Sequence, residues 1–389
     1  MSDHAPDLRL FLAGDLMCAR GIDQILPHPG DPRLYEAYVK DARDYVRLAE
    51  RRNGPFAQPV DFAYLWGVAL EELRQRRPNL RLVNLETALT DQGRPQPKGI
   101  NYRMNPANLP LLEVAGIDCC VLANNHVLDW GQTGLADTLA NLASHGIAYA
   151  GAGTNRSGAE APAILPLADG RRLLVFAFAT GDSGVPADWA ADQQRPGIAR
   201  LDDLSPHGVE RVARCIAAVR QAGDRVLVSL HWGGNWGFRV SEEQRRFAHG
   251  LIDEAGVDLL HGHSSHHIKG LEVYRQRLII YGCGDLLNDY EGIDGHADYR
   301  GDLGLLYFAD LARDGRLEAL ELLPTAAPDE PAARDRRGPA LAAGLACSAS
   351  ARPSPARCGR PATTASPWSG QPPADPRRRQ RVSPDTAAR

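Results

Sequence analysis

Five short apolar runs in this chain stop on residues able to ligate a hard or borderline metal ion: Gly14-Asp15, Asn84-Leu85-Glu86, Asn124-Asn125-His126, His231, and His261-Gly262-His263-Ser264-Ser265-His266-His267. An apolar run of strand length followed by polar groups reads as a β-strand whose carboxyl end carries a ligand. Several such ends in one chain are the layout of a binuclear metal site.

Strand-like runs are predicted at Leu8 to Ala13, Leu80 to Leu85, Asp118 to Leu122, Leu173 to Ala179, Arg225 to Leu230, Val257 to His261, Leu278 to Tyr281 and Leu303 to Phe308. Helices lie between several of them. Ser205-Pro206 places an N-cap before a proline at the first helical position, and Ser241 with Gln244 forms a capping box opening a helix to about Ala255. Gly256 ends that helix. Helix then strand, repeated, predicts α/β layers. Toward the end, Leu271 to Tyr274, Leu278 to Tyr281, Gly304 to Phe308 and Leu317 to Leu322 are separated by turn-like residues, with no room for a helix between the first two. A second sheet built partly of hairpins is implied, and with it two packed sheets with helices outside.

A length of 389 residues allows two ordinary domains or one large α/β domain with a tail, and an apolar share of 43% is that of a soluble enzyme-sized protein. The boundaries expected are a domain over 8–324 and a tail over 325–389, where Ala, Pro, Arg, Ser and Gly replace the larger apolar residues. Such a composition cannot offset its ordering entropy, so disorder is expected there. The run Arg377 to Arg381 reads as a solvated basic tail, with a nucleic-acid or acidic-polymer contact as the alternative. A net charge of −4 with interspersed signs offers no basic stripe elsewhere, which argues against nucleic acid as a partner. No basic leader followed by an apolar core opens the chain, and no run approaches the ~20 apolar residues that cross a bilayer. A cytoplasmic location without direct membrane insertion is therefore expected. The seven cysteines, an odd number without C-x-x-C spacing, read as reduced core residues.

Taken singly, several candidates have bland readings. Asp15 alone is a helix cap or a turn residue, and Arg20 is equally a clamp for a phosphate or carboxylate and a surface ion pair. Asn124, Asn125 and His126 directly after a buried strand are costly unless something satisfies them, and Asp129 is placed to orient His126. The imidazoles from His261 to His267 would repel if protonated and need partners if buried. Neutral rings donating to a metal resolve both problems, with a surface histidine loop as the alternative.

These motifs, with Tyr281-Gly282-Cys283-Gly284-Asp285-Leu286-Leu287-Asn288, resemble the CapA family of capsule or poly-γ-glutamate biosynthesis proteins, within the calcineurin-like metallophosphatases. The resemblance runs in order from Leu8 to Leu323. It implies a four-layer α/β/β/α sandwich and a centre for two divalent ions, with Mn, Fe, Zn and Mg not distinguished. It also implies Asp15, Glu86, Asn125, His231, His263 and His266 as ligands, with His126 as acid oriented by Asp129. Arg20, Arg103, Asn84 and Asn124 are the expected substrate contacts. Two departures stand out. Met17 occupies the place of a superfamily histidine, and a thioether suits Mn²⁺ or Mg²⁺ poorly. The closing histidines are spaced Gly-His-x-x-His, so His266 is expected to be displaced, with His267 or His261 as substitutes and one metal position weak.

Two functions fit. One is a metal-dependent hydrolase acting on a phosphoester or an anionic polymer such as poly-γ-glutamate, both of which are anionic. The other is a non-catalytic assembly or export factor that binds the capsule polymer in the same cleft, together with capsule-assembly partners.

Overall fold

The computed structural model of the chain describes residues 6–290, 297–299 and 303–326. The tail expected to be disordered therefore lies, from residue 327 onward, outside the described residues.

One sheet places its strands in the order Leu317–Ala326, Leu303–Leu311, Leu8–Leu16, Leu80–Leu85, Cys119–Val121, Ala148–Ala150, with Asp285–Leu287 also pairing with Leu8–Leu16. The other runs Arg200–Leu201, Arg172–Thr180, Arg225–His231, Leu259–His263, Arg277–Ile280, Leu271–Tyr274, and Ala163–Pro166 joins it at Arg172–Thr180. Both have parallel centres. Leu8–Leu16 is parallel to Leu80–Leu85, and Arg225–His231 is parallel to Arg172–Thr180 and Leu259–His263.

The period-2 alternation of a strand shows how the layers stack. Leu173, Val175, Ala177 and Ala179 belong to the core shared with the first sheet, whereas Leu174, Phe176 and Phe178 belong to a separate core with Val209, Val212, Ile216, Phe247 and Leu251. Those last residues sit on the helices Pro206–Ala217 and Glu242–Asp253. On the far side of the first sheet, Leu135, Leu139 and Leu142 of the helix Gly131–Ser144 and Ala69 and Leu73 of the helix Val68–Arg76 join its core. The result is the expected four-layer α/β/β/α sandwich. Each large core side chain, such as Phe176 or Phe178, contributes about 1.5–3 kcal/mol by leaving water.

The start signals act as read. The Ser205 side chain accepts from His207 N, and Ser241 and Gln244 form both bonds of a capping box. Gly256 takes φ 67°, the left-handed conformation in which the chain turns from the helix toward Leu259–His263. One expectation changes. Leu271–Tyr274 and Arg277–Ile280 form the foreseen hairpin in the second sheet, but the hairpin Leu303–Leu311 with Leu317–Ala326 extends the first sheet instead. Its antiparallel register against Leu8–Leu16, Leu8 opposite Leu311, is reinforced by Arg9, whose Nε and Nη2 each lie 2.6 Å from the Asp310 carboxylate.

Among the described residues no helix is long and apolar enough to cross a membrane. The described cysteines Cys18, Cys119, Cys120, Cys215 and Cys283 are free thiols.

Candidate metal centre

Register brings the candidate ligands together. Asp15 pairs with Asn84 on one side and with Asp285 on the other, and His231 pairs with His263 across the second sheet. Glycine at position 14 makes the approach of Asp15 to Asp285 feasible, because a Cβ there would lie 1.8 Å from the Gly284 carbonyl oxygen. The two chain segments touch directly, and Asp15 N donates to Gly284 O at 3.1 Å.

Two groups of donors result, each able to converge on one ion. Asp15, His231 and His263 form the first, and Asp15, Glu86, His266 and Asp285 form the second. Asp15 is common to both. Asn125 adjoins the first group, its Oδ1 lying 3.1 Å from His231 Nε2. Met17 is engaged otherwise: its sulfur accepts from Ala19 N at 3.3 Å and its side chain packs with Ala19 and Tyr102. Glu86 and Asp285 supply carboxylates to the second group without it.

The wider histidine spacing is absorbed locally. Ser264 takes φ 97°, rare for a residue with a Cβ, and the chain turns there so that His263 and His266 enter different groups. His261 instead bonds Ser229 and the Ala13 carbonyl, and His267 Nδ1 lies 3.1 Å from the Ile268 carbonyl. Neither takes the place of His266.

The electrostatics suit a cation. Asp15 and Glu86 are 1% exposed, and Asp15 Oδ2 and Glu86 Oε2 are buried without a hydrogen-bond partner. Burial, then repulsion from Asp285, pushes the Asp15 carboxyl up to about 7. Glu86 is raised well above its ordinary value by burial and then by Asp15. Burial holds His231 and His263 well below the usual imidazole range, so both are neutral donors. At His266 burial lowers the pKa, but the charge and hydrogen bond of Asp285, 3.0 Å away, outweigh it and raise it. Buried carboxylates with orphaned oxygens beside neutral imidazoles are costly alone, and a divalent cation satisfies both kinds of donor. The residues fit that group.

Beside the ligands stands His126, a member of neither group. Its Nδ1 lies 2.6 Å from Asp129 Oδ2, and its ring stacks on Tyr102 at 4.1 Å. Asp129 is fully buried and also accepts from Tyr102 N at 2.6 Å and from Lys98 Nζ at 2.7 Å. Lys98 also donates to the Asn125 carbonyl at 2.6 Å. Burial and then Lys98 lower His126 to about 4, against the pull of Asp129.

The four residues expected to contact substrate are engaged with the protein itself. Arg20 is 5% exposed, and its guanidinium donors go to Asp289, Glu36 and Tyr45, leaving none for a ligand. Arg103 stacks on Trp130 at 3.7 Å with Nη2 3.3 Å from Asp31. Asn84 and Asn124 are fully buried and form a relay of amides. Asn124 Oδ1 accepts from His126 N and Val127 N, its Nδ2 donates to Asn84 Oδ1 at 3.0 Å, and Asn84 Nδ2 donates to Asp15 Oδ1 at 2.8 Å. They hold Asp15 and the His126 turn in place. Two residues went unassigned in the sequence reading, Asp285 and Lys98. Asp285 follows the Gly-Cys-Gly segment after an apolar run, a signal of the same kind that marked Asp15. Lys98 lies in a loop with no such mark.

Comparison with known proteins assigns the family. Residues 9–290 match the family described as bacterial capsule synthesis protein PGA_cap. The chain is 46% identical over 324 residues to a Mycobacterium tuberculosis protein named probable polyglutamine synthesis accessory protein, covering 82% of this chain and 85% of that one. It is 27% identical over 285 residues to the PGA biosynthesis protein CapA of Bacillus subtilis, covering 72% of this chain and 63% of that relative. Among solved structures, a 5'-nucleotidase precursor from Thermus thermophilus aligns with a TM-score of 0.43 and 14% sequence identity, over 86% of this chain and 55% of that chain. With the family match spanning residues 9–290, the chain belongs to the bacterial capsule synthesis protein PGA_cap family.

Proposed function

We propose that this CapA-like protein of capsule or polyglutamate synthesis is a metal-dependent hydrolase of a phosphoester or an anionic polymer such as poly-γ-glutamate. The observation that carries the reading is the shared Asp15, which stands in two donor groups whose buried carboxylates have oxygens without partners.

Asp15, His231 and His263, with Asn125 beside them, would hold one divalent ion, and Asp15, Glu86, His266 and Asp285 a second. Such ions supply Lewis-acid polarisation of the attacked phosphorus or carbonyl and of a water. The chain's own residues provide the rest. Asp129 and the Tyr102 ring fix His126, and because Nδ1 is committed to Asp129, Nε2 is the atom left to move a proton to the leaving oxygen or nitrogen. An anionic substrate beside His126 raises its proton affinity toward the range an acid needs. Lys98, whose side chain is 27% exposed, is the cation nearest this pair and attracts the substrate's negative charge.

The names of the relatives favour a second reading, since both describe accessory or biosynthesis proteins. In it the same cleft binds the capsule polymer during assembly or export, without cleavage. The Mn²⁺-loaded chain, offered a chromogenic phosphoester and poly-γ-glutamate in parallel, separates the two. Turnover of either, falling roughly 10²–10⁴-fold in His126→Ala with metal content unchanged, is expected. Polymer binding without turnover of either substrate overturns the hydrolase reading.

A further inference from the structure

Behind the ligands lies a chain of hydrogen bonds in which the direction of every bond is forced. His261 Nε2 is 2.9 Å from the Ala13 carbonyl oxygen, which can only accept, so Nε2 carries a proton. The other His261 nitrogen, Nδ1, lies 3.0 Å from the Ser229 hydroxyl. Its partners are a carbonyl and a hydroxyl, neither anionic, and the ring is fully buried, so nothing compensates a positive charge and the ring is neutral. Nδ1 is therefore an acceptor, and the Ser229 proton points at it. The Ser229 oxygen, its proton spent, accepts from His263 Nε2 at 2.8 Å. His263 thus carries its proton on Nε2, and in the buried neutral ring Nδ1 is left as an acceptor, toward which His231 Nδ1 then donates. His263 Nδ1 lies 2.8 Å from His231 Nδ1 and 3.7 Å from Asp15 Oδ1, inside the first donor group.

We propose that Ser229 and His261 are positioning residues that lock the His263 ring in the tautomer presenting Nδ1 to the metal centre. The proposal rests on that centre's reading as a metal site. The geometry supports a second task. Ala13 is on the strand that carries Asp15, and Ser229 and His261 are register partners on the strands that carry His231 and His263. The ladder between Leu8–Leu16 and Leu80–Leu85 shifts register between Ala13 and Asp15, beside the carbonyl that His261 takes up. The same bonds therefore tie the two sheets together where their ligands must meet. A ligand's other ring nitrogen, held in this way, commonly contributes ~10–100-fold in metal affinity.

The test reads the tautomer directly. Nitrogen-15 NMR of the histidine rings in the metal-free full chain is expected to show His263 protonated at Nε2 and bare at Nδ1, and a proton on Nδ1 would overturn the lock. Mn²⁺ titration of the variants gives the second measurement. Ser229→Ala is expected to bind about 10–100-fold more weakly, and Ser229→Thr, which keeps the hydroxyl, to recover most of the loss. Wild-type affinity in Ser229→Ala, or a threonine variant as weak as the alanine one, also overturns the proposal. If Ser229→Ala does not fold, the wild-type spectrum still settles the tautomer. A wild-type chain with the expected tautomer but no Mn²⁺ binding overturns the metal centre and leaves the lock standing.

Discussion

Asp15 and Asp285 are register partners on parallel strands, two carboxylates brought side by side where Gly14 meets the Gly284 carbonyl. Without a cation, that arrangement repels. Replacing Asp285 by Asn keeps the shape and relieves its repulsion of both Asp15 and Glu86 while giving up the ion pair with His266; with two repulsions relieved against one pair lost, the metal-free protein is expected to become more stable. Each ~1 kcal/mol relieved raises the melting temperature by roughly 2–4 °C in a domain of this size. The same variant is expected to bind less metal, and thermal scans with and without Mn²⁺ check both signs at once.

Lys98 joins Asp129 to the Asn125 carbonyl beside the ligands. Lys98→Gln keeps a hydrogen-bond donor and removes the charge. A charge-assisted bond contributes about 1.5–3 kcal/mol, so kcat/KM for an anionic ester is expected to fall roughly 10–100-fold. The drop is expected to be smaller at high salt, where the field of a partly exposed cation is screened.

Asn124 uses both ends of its amide: it donates to Asn84 and the Leu85 carbonyl and accepts from His126 N and Val127 N. Asn124→Ala leaves buried partners unsatisfied at about 1–3 kcal/mol each. Urea denaturation is expected to show a loss of about 3 kcal/mol or more, with Asn124→Asp milder than Asn124→Ala.

These amides also show what a sequence conceals. The strand ends, the capping box and most of the residues gathered at the site were legible because they depend on local chemistry: an apolar run, a serine three residues before a glutamine, a histidine after a strand. The fate of a polar donor depends on residues far away in the chain. Arg20 looked available until Asp289, 269 residues on, took up its guanidinium. Asn84 and Asn124 looked like substrate contacts, yet strand register makes them partners of each other and of Asp15. Lys98 carries no local mark at all, and only the folding of its loop onto Asp129 gives it a role. The hairpin after Leu303 was read correctly as a hairpin and assigned to the wrong sheet, since nothing local says which sheet edge is open.

Met17 looked from its sequence position like a missing metal ligand. Because its sulfur accepts from Ala19 N and its side chain packs with Ala19 and Tyr102, Met17→Leu is expected to leave metal stoichiometry unchanged. The swap conserves volume, so it is expected to cost under about 1.5 kcal/mol. A lost ion in this variant would show that the sulfur ligates after all.

The central claim is a pair of cation sites that share Asp15. Equilibrium dialysis of the full chain against Mn²⁺, with the bound metal counted by mass spectrometry, tests it most directly. Two ions per chain are expected in the wild type, one in Asp285→Asn with Glu86→Gln, and none retained at the same free Mn²⁺ in Asp15→Asn. A wild-type chain that holds no ion, or an Asp15→Asn variant that still holds two, would contradict it.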